Sequence, residues 1–181
     1  KNLPYEARKD LAGIALLNTS PLILVGRKSL PPATLPELLA WFKTKPTVRF
    51  AAPGIGNIGH LCGTLVSRAV DVPFDMIPYR GGAPAQLDLL AGHIDMTCST
   101  SQGVVEPIKS GLLKGFGVTS AEPYEPLPEL ASLPNAGFPK LGIRYWHGMY
   151  APAKTPPEVI AKLNAAVRDV LADPKTAEQW R

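Results

Sequence analysis

A chain of 181 residues, 45% of them hydrophobic and 19% charged, carries enough apolar material for one domain, or one and part of another, and does not read as disordered. No apolar run approaches the roughly 20 residues of a membrane-spanning helix. The net charge of +4 is dispersed, with only Arg68 and Arg80 between Phe50 and Ile108, whereas a nucleic-acid binder gathers Lys and Arg on one element, so no nucleic-acid partner is expected.

The chain opens at Lys1 with no signal-peptide pattern and no methionine, as a processed or truncated product would. Its first stretch, to Leu17, reads as an entering loop and a strand around Ile14. Pro21 to Gly26 is a continuous apolar run, the pattern of a strand buried on both faces. Thr34 and Glu37 form a capping box for a helix from Leu35 to about Lys43. Val48 to Ala52 is the next strand, followed by a Gly-rich turn and a helix with Leu61, Leu65, Val66 and Ala69 at helical spacing. Asp75 to Tyr79 is a strand ended by Arg80-Gly81-Gly82. Pro84 opens a helix through Leu90, and Gly92 stops it. Ile94 to Cys98 is a strand, Val104 to Lys109 a short helix, and Leu113 to Thr119 a further strand.

Ala121 to Lys140 is irregular, with five prolines. Ile143 to Tyr150 is a strand whose Tyr145, Trp146 and His147 read as packing residues. Thr155 and Glu158 form a second capping box before the strongest amphipathic helix, with Val159, Ile160, Leu163, Val167 and Leu171 on one side. Asp173-Pro174 caps a last helix, which runs beside Trp180 to Arg181 as if cut short. Twenty prolines in all punctuate elements of this kind without making a low-complexity chain. Regular alternation of strand and helix predicts an α/β fold with parallel strands and helices on both faces.

In such sheets ligands bind where strands end and helices begin. The passage Pro53-Gly54-Ile55-Gly56-Asn57-Ile58-Gly59-His60 is the best candidate. Glycine brings backbone close to a ligand, and the first helical turn offers unpaired N–H groups at the positive end of the dipole. No Asp or Glu lies between Glu37 and Asp71, so nothing local repels an anion. Asn57 can cap the helix or turn its amide to a ligand. Tyr79, Gly81 and Gly82 on one side, and Ser99 and Thr100 on the other, join the candidate site by loop position, and His60 by lying one turn into the helix.

Gly54 to Gly59 also matches G-x-G-x-x-G, so an α/β enzyme or domain binding a dinucleotide at this turn is the alternative. The acid required at the end of the next strand is replaced by Tyr79-Arg80. A nucleophile at Cys98 has no partnered base in sequence, and His60, His93 and His147 sit on three separate elements. Cys62 and Cys98 are too few for a zinc framework. Sequence does not say whether they meet, and buried free thiols are the default expectation.

Several passages, in order, resemble the extracytoplasmic solute receptors of tripartite tricarboxylate transport systems, the Bug receptors. They are Lys9-Asp10-Leu11, Gly54 to Leu61, Pro78-Tyr79-Arg80-Gly81-Gly82-Ala83-Pro84-Ala85 continuing through Asp88 to Asp95, Gly117 to Ser120, and Trp146 to Pro152. The resemblance implies a periplasmic-binding-protein type II fold with a mainly parallel sheet. Its lobes would close on a small carboxylate or dicarboxylate and deliver it to a membrane permease. It implies a periplasmic location, no enzyme activity and no cofactor or metal. By this resemblance residues 1–23 are a lead-in and crossover strand of the first lobe, 24–146 the second lobe, and 147–181 a return into the first. Its ligand-lining turn carries over onto Gly54, Ile55, Gly56 and Asn57. The chain departs from the family's pattern in having Asn57 where Ser or Thr is common, and in lacking the first lobe's opening strand and Pro-x-x-Gly-Gly loop.

Overall fold

The computed structural model describes residues 4–179. Lys1, Trp180 and Arg181, which bear on how the chain starts and stops, lie outside the described residues. In chain order the elements are α1 (Ala7–Asp10), β1 (Leu11–Arg27), α2 (Leu35–Phe42), β2 (Val48–Ala52), α3 (Ile58–Val70), β3 (Phe74–Pro78), α4 (Gly82–Ala91), β4 (Met96–Thr100), α5 (Val105–Lys109), β5 (Leu113–Val118), β6 (Ala131–Ser132), β7 (Arg144–Pro152), α6 (Pro157–Ala172) and α7 (Pro174–Gln179). Two compact units divide the chain. One is Lys1–Thr19 with Trp146–Arg181, the other Ser20–Tyr145.

The larger unit holds a sheet in the order β3-β2-β4-β1-β5-β6. β2 runs parallel to β3 and β4, and β5 parallel to β6. β1 is the exception, antiparallel to both β4 and β5. The sheet is therefore mixed. Alternation of strand and helix sets the period of the elements but not the direction of a strand entering from outside the repeat. A single strand also replaces the loop and two short runs expected before Gly26. Pro21 does not break it, and the next amide, Leu22 N–H, donates to Thr119 Oγ1 at 2.8 Å.

Both faces of the sheet are covered. On one, Leu22 and Leu24 of β1 and Phe50 of β2 pack with Leu38 and Phe42 of α2 and Cys62 and Val66 of α3. On the other, Ile23 and Val25 of β1 and Ala51 of β2 pack with Ala85 and Leu89 of α4. Successive side chains on a strand point to opposite faces, so β1 needs apolar residues at every position from Leu22 to Val25. That is why its run is continuous. The helix ends follow from local chemistry. Thr34 Oγ1 accepts from Glu37 N–H at 3.4 Å, and the Glu37 carboxylate reaches back to Ala33 N–H at 2.8 Å. Gly92 ends α4 with φ +80°.

In the smaller unit β7 pairs with β1, and Asn164 of α6 donates its side-chain N–H to the Ile14 carbonyl at 2.6 Å. The second capping box does not form: Pro156 occupies the cap position, and α6 has no side-chain cap. Asp173 does cap α7, its carboxylate accepting from Thr176 N–H at 3.3 Å. No residue of α6 is buried, and Val159, Leu163 and Val170 are exposed. Of the aromatic run in β7, Tyr145 is buried but Trp146 is 57% exposed. His147 Nδ1 lies 2.9 Å from Asn18 Oδ1.

Candidate functional site

Because β2, β3 and β4 run parallel, they finish at one edge of the larger unit's sheet. The residues after each lie side by side: Tyr79–Gly82 after β3, Pro53–Asn57 after β2, and Ser101 after β4. Ser99 and Thr100, expected in a loop, are the last two residues of β4 itself. Antiparallel β1 adds Ser20 to this edge, with its Oγ 3.4 Å from Ser101 Oγ. Ser20 was not foreseen as a neighbour because the direction of β1 leaves no trace in the sequence.

The turn before α3 is the centre of the edge. Gly54 and Gly56 have φ of +111° and +82°, conformations that side chains with a Cβ adopt only under strain. A Cβ on Gly56 would meet nothing within 4 Å, and Ile55 is 81% exposed, so the turn is open. Some of its amides are used internally. Gly54 N–H donates to the Ala52 carbonyl at 2.7 Å and Asn57 N–H to the Gly54 carbonyl at 3.2 Å. Gly56 N–H donates to His60 Nδ1 at 3.2 Å, which in the neutral ring leaves the proton on Nε2. Asn57 takes the capping role: its Oδ1 accepts from His60 N–H at 2.9 Å, and its Nδ2 donates to the Pro53 carbonyl. The amides of Ile55, Ile58 and Gly59 donate to no acceptor among the described residues.

Beside the turn, Gly81 has φ +115°, and a Cβ on Gly81 or Gly82 would meet nothing within 4 Å. Tyr79 is turned to α4, its hydroxyl donating to Asp88 Oδ2 at 2.7 Å. His93 Nδ1 stands 3.3 Å from the other Asp88 oxygen. Burial first, and then the Asp88 contact, push the Tyr79 phenol up to about 12. The hydrogen bonds from Tyr79 and His93 hold the Asp88 carboxyl below its usual range. Ser99 Oγ donates to the Thr100 carbonyl at 3.2 Å. Arg80 is exposed and has no ion-pair partner among the described residues. In the dinucleotide alternative this is the arginine that would serve a 2′-phosphate; its lack of an ion pair is visible only in the structure.

Cys62 and Cys98 are not free thiols but a disulfide joining α3 to β4. Their helix and strand were both foreseen. What the sequence hid was that β4 lies against β2, which brings the two residues together. Closing a loop of 36 residues stabilises the fold by about 4 kcal/mol in the chain-entropy picture. Such a bond belongs to an oxidising compartment. The G-x-G-x-x-G match also has a physical origin. Gly54 and Gly56 supply positive φ, and a Cβ on Gly59 would stand 2.9 Å from the Cys98 carbonyl oxygen. A close strand–turn–helix connection asks for those three glycines whatever it binds.

A mixed sheet covered on both faces, with a bare glycine turn at one edge, fits the class of periplasmic solute-binding proteins. The solved structure of the periplasmic binding protein BugD superposes with a TM-score of 0.90 at 35% identity, over 96% of this chain and 58% of that one. MatC from Rhodopseudomonas palustris, with bound malate, gives a TM-score of 0.88 at 29% identity, over 97% of this chain and 60% of that one. The chain belongs to the tripartite tricarboxylate transporter receptor family (TctC), which matches residues 1–180. A protein from the TAR-I ttuE-ttuC' intergenic region of Agrobacterium vitis is 32% identical over 180 residues, 99% of this chain and 52% of its own length. The chain thus spans about half the length of the curated relatives it matches. The family is one of transporter receptors, and its solved neighbours include the periplasmic binding protein BugD and a TctC solute-binding protein from Polaromonas, the latter with a TM-score of 0.74 at 29% identity.

Proposed function

We propose that this chain serves a periplasmic receptor that captures a small carboxylate or dicarboxylate and passes it to the membrane permease of a tripartite tricarboxylate-type transporter. The observation that carries the reading is a set of unanswered amides with no acid nearby in sequence: Ile55 exposed at the tip of the turn, and behind it Ile58, half-buried, and Gly59, buried where α3 begins. A carboxylate answers them with charge-assisted hydrogen bonds, about twice as strong as neutral ones. The helix start adds its dipole at no cost in reorganisation. Ser99 and Thr100 offer hydroxyls beside the turn, and Arg80 a cation suited to a second carboxylate. Gly81 and Gly82 keep the ground next to it clear. Asn57 braces the turn through Pro53 and His60 N–H, and Tyr79 is engaged with the Asp88 carboxylate. His60 braces Gly56 through Nδ1, while its Nε2 has no partner among the described residues and can donate to the ligand.

Malate bound to MatC and the disulfide both support a periplasmic carboxylate receptor. In this reading residues 24–146 are the second lobe, and residues 1–23 and 147–181 belong to the first. The test is a melting-temperature screen with mono-, di- and tricarboxylates and with NAD(P). A ligand at one hundred times its Kd stabilises by about 2.7 kcal/mol, a rise of about 5–10 °C for a chain of this size. Malate or a related diacid should give that rise, and NAD(P) none. A shift with NAD(P) alone would restore the dinucleotide alternative.

A further inference from the structure

We propose that the Cys62–Cys98 disulfide, together with Gly59, is a positioning element of the carboxylate site; this rests on the reading that the turn before α3 holds the ligand. Cys62 stands one turn inside α3, and Cys98 immediately precedes Ser99 and Thr100. One covalent bond therefore joins the helix that presents the amides to the strand that presents the hydroxyls. Both cysteines are buried, at 0% and 1% exposure. Their Cα atoms are 6.1 Å apart.

Gly59 touches the same partner. A Cβ there would lie 2.9 Å from the Cys98 carbonyl oxygen and 3.4 Å from Pro53 Cδ. The first turn of α3 is thus laid directly on the backbone of β4. Hydrogen bonding between β2 and β4 stops short of the turn, with Ala51 paired to Thr97 and the Thr97 hydroxyl donating to the Ala51 carbonyl at 3.3 Å. The turn bonds inwardly, among Ala52, Pro53, Gly54, Gly56, Asn57 and His60. Among the described residues no hydrogen bond ties it to Ser99, Thr100 or Ser101. Beyond the end of the β2–β4 ladder, the covalent contact between the amide and hydroxyl segments is the disulfide, and the closest backbone approach is at Gly59. A carboxylate gripped from both segments needs that spacing held to about half an ångström.

The experiment is made on the full chain, with Cys62→Ala/Cys98→Ala and, separately, Gly59→Ala, which keeps the bond but forces the helix start away from Cys98. Hydrogen exchange is read at Gly56 and His60, whose amides report the turn, and at Phe116 and Val118 in β5 as a distant control. Malate affinity is titrated well below the melting temperature. Both variants should exchange at least about tenfold faster at Gly56 and His60 with β5 unchanged, and should weaken malate binding by about tenfold or more. Unchanged exchange at the turn with unchanged malate affinity, alongside a lower melting temperature, would make the disulfide a brace of the fold alone and overturn the proposal. If the unaltered chain takes no malate, the receptor reading fails for that ligand while the exchange comparison still decides this one. If the double-alanine chain does not fold, Gly59→Ala decides it by the same two readouts.

Discussion

Glycine inside a helix is a penalty, and replacing it with alanine ordinarily stabilises by about 1 kcal/mol. At Gly63, in the middle of α3, the reverse is expected. A Cβ there would stand 2.8 Å from Phe50 Cδ1 and 3.0 Å from Phe50 Cζ, with Cε1 closer still. Packed carbons settle at about 3.5–4.0 Å. The Phe50 ring has nowhere to go: it is 0% exposed and stacks on Phe74 with centroids 5.2 Å apart. The helix must therefore lift from β2 by roughly half an ångström or more. Overpacking of this severity costs about 3 kcal/mol. Less the gain in helix propensity, Gly63→Ala should destabilise by about 2 kcal/mol, which lowers Tm by about 4–8 °C. Urea unfolding followed by circular dichroism measures it, with the slope compared to confirm that only the midpoint moves. A midpoint equal to or above that of the unaltered chain would refute the reasoning, since propensity would then outweigh packing where α3 meets the sheet.

Other substitutions test separate parts of the account. Thr119, 1% exposed, accepts from Leu22 N–H at 2.8 Å and donates to the Ile143 carbonyl at 2.6 Å. Thr119→Val strands both backbone groups and should cost about 2–4 kcal/mol of stability in the same unfolding assay. Ile55→Asp places a negative charge on the open turn. Because Ile55 is exposed, stability should stay within about 0.5 kcal/mol, while malate capture measured by calorimetry should be lost.

Asp88→Asn tests the Tyr79 contact by pH. Tyr79 is raised from 10.0 to about 12, so its contribution to stability is complete below pH 10 and disappears as pH rises through about 12. Asp88 is lowered, so its contribution is present above the usual carboxylate range and is lost as pH falls through its depressed value. In Asp88→Asn the phenol, followed by carbon NMR of labelled tyrosine, should titrate below the unaltered chain's value yet stay above 10.0, because burial, the larger cause, remains.

What the sequence made legible was mostly local. Thr34 with Glu37, Asp173 before Pro174, and Gly92 at a helix end are signals a few residues long, and each acts as its chemistry says. The continuous run from Leu22 to Val25 announced a strand covered on both sides. The glycine turn and its missing acids were equally visible. Long-range relations were not. The antiparallel course of β1, the meeting of Cys62 with Cys98, and the pairing of Ser20 with Ser101 depend on which strands become neighbours, and side-chain periodicity does not encode this. Asn57 and Tyr79 show the same limit at the scale of one residue. Their types fit either a ligand or the protein's own backbone, and only the positions of Pro53, His60 and Asp88 decide between the two.

The most direct test of the central claim is the amide spectrum of the nitrogen-labelled chain during titration with malate. The account predicts that the largest shifts fall on Ile55, Ile58 and Gly59, with smaller ones at Ser99 and Thr100, and that they saturate together. Saturable shifts confined to other parts of the chain, with those three amides unmoved, would contradict it.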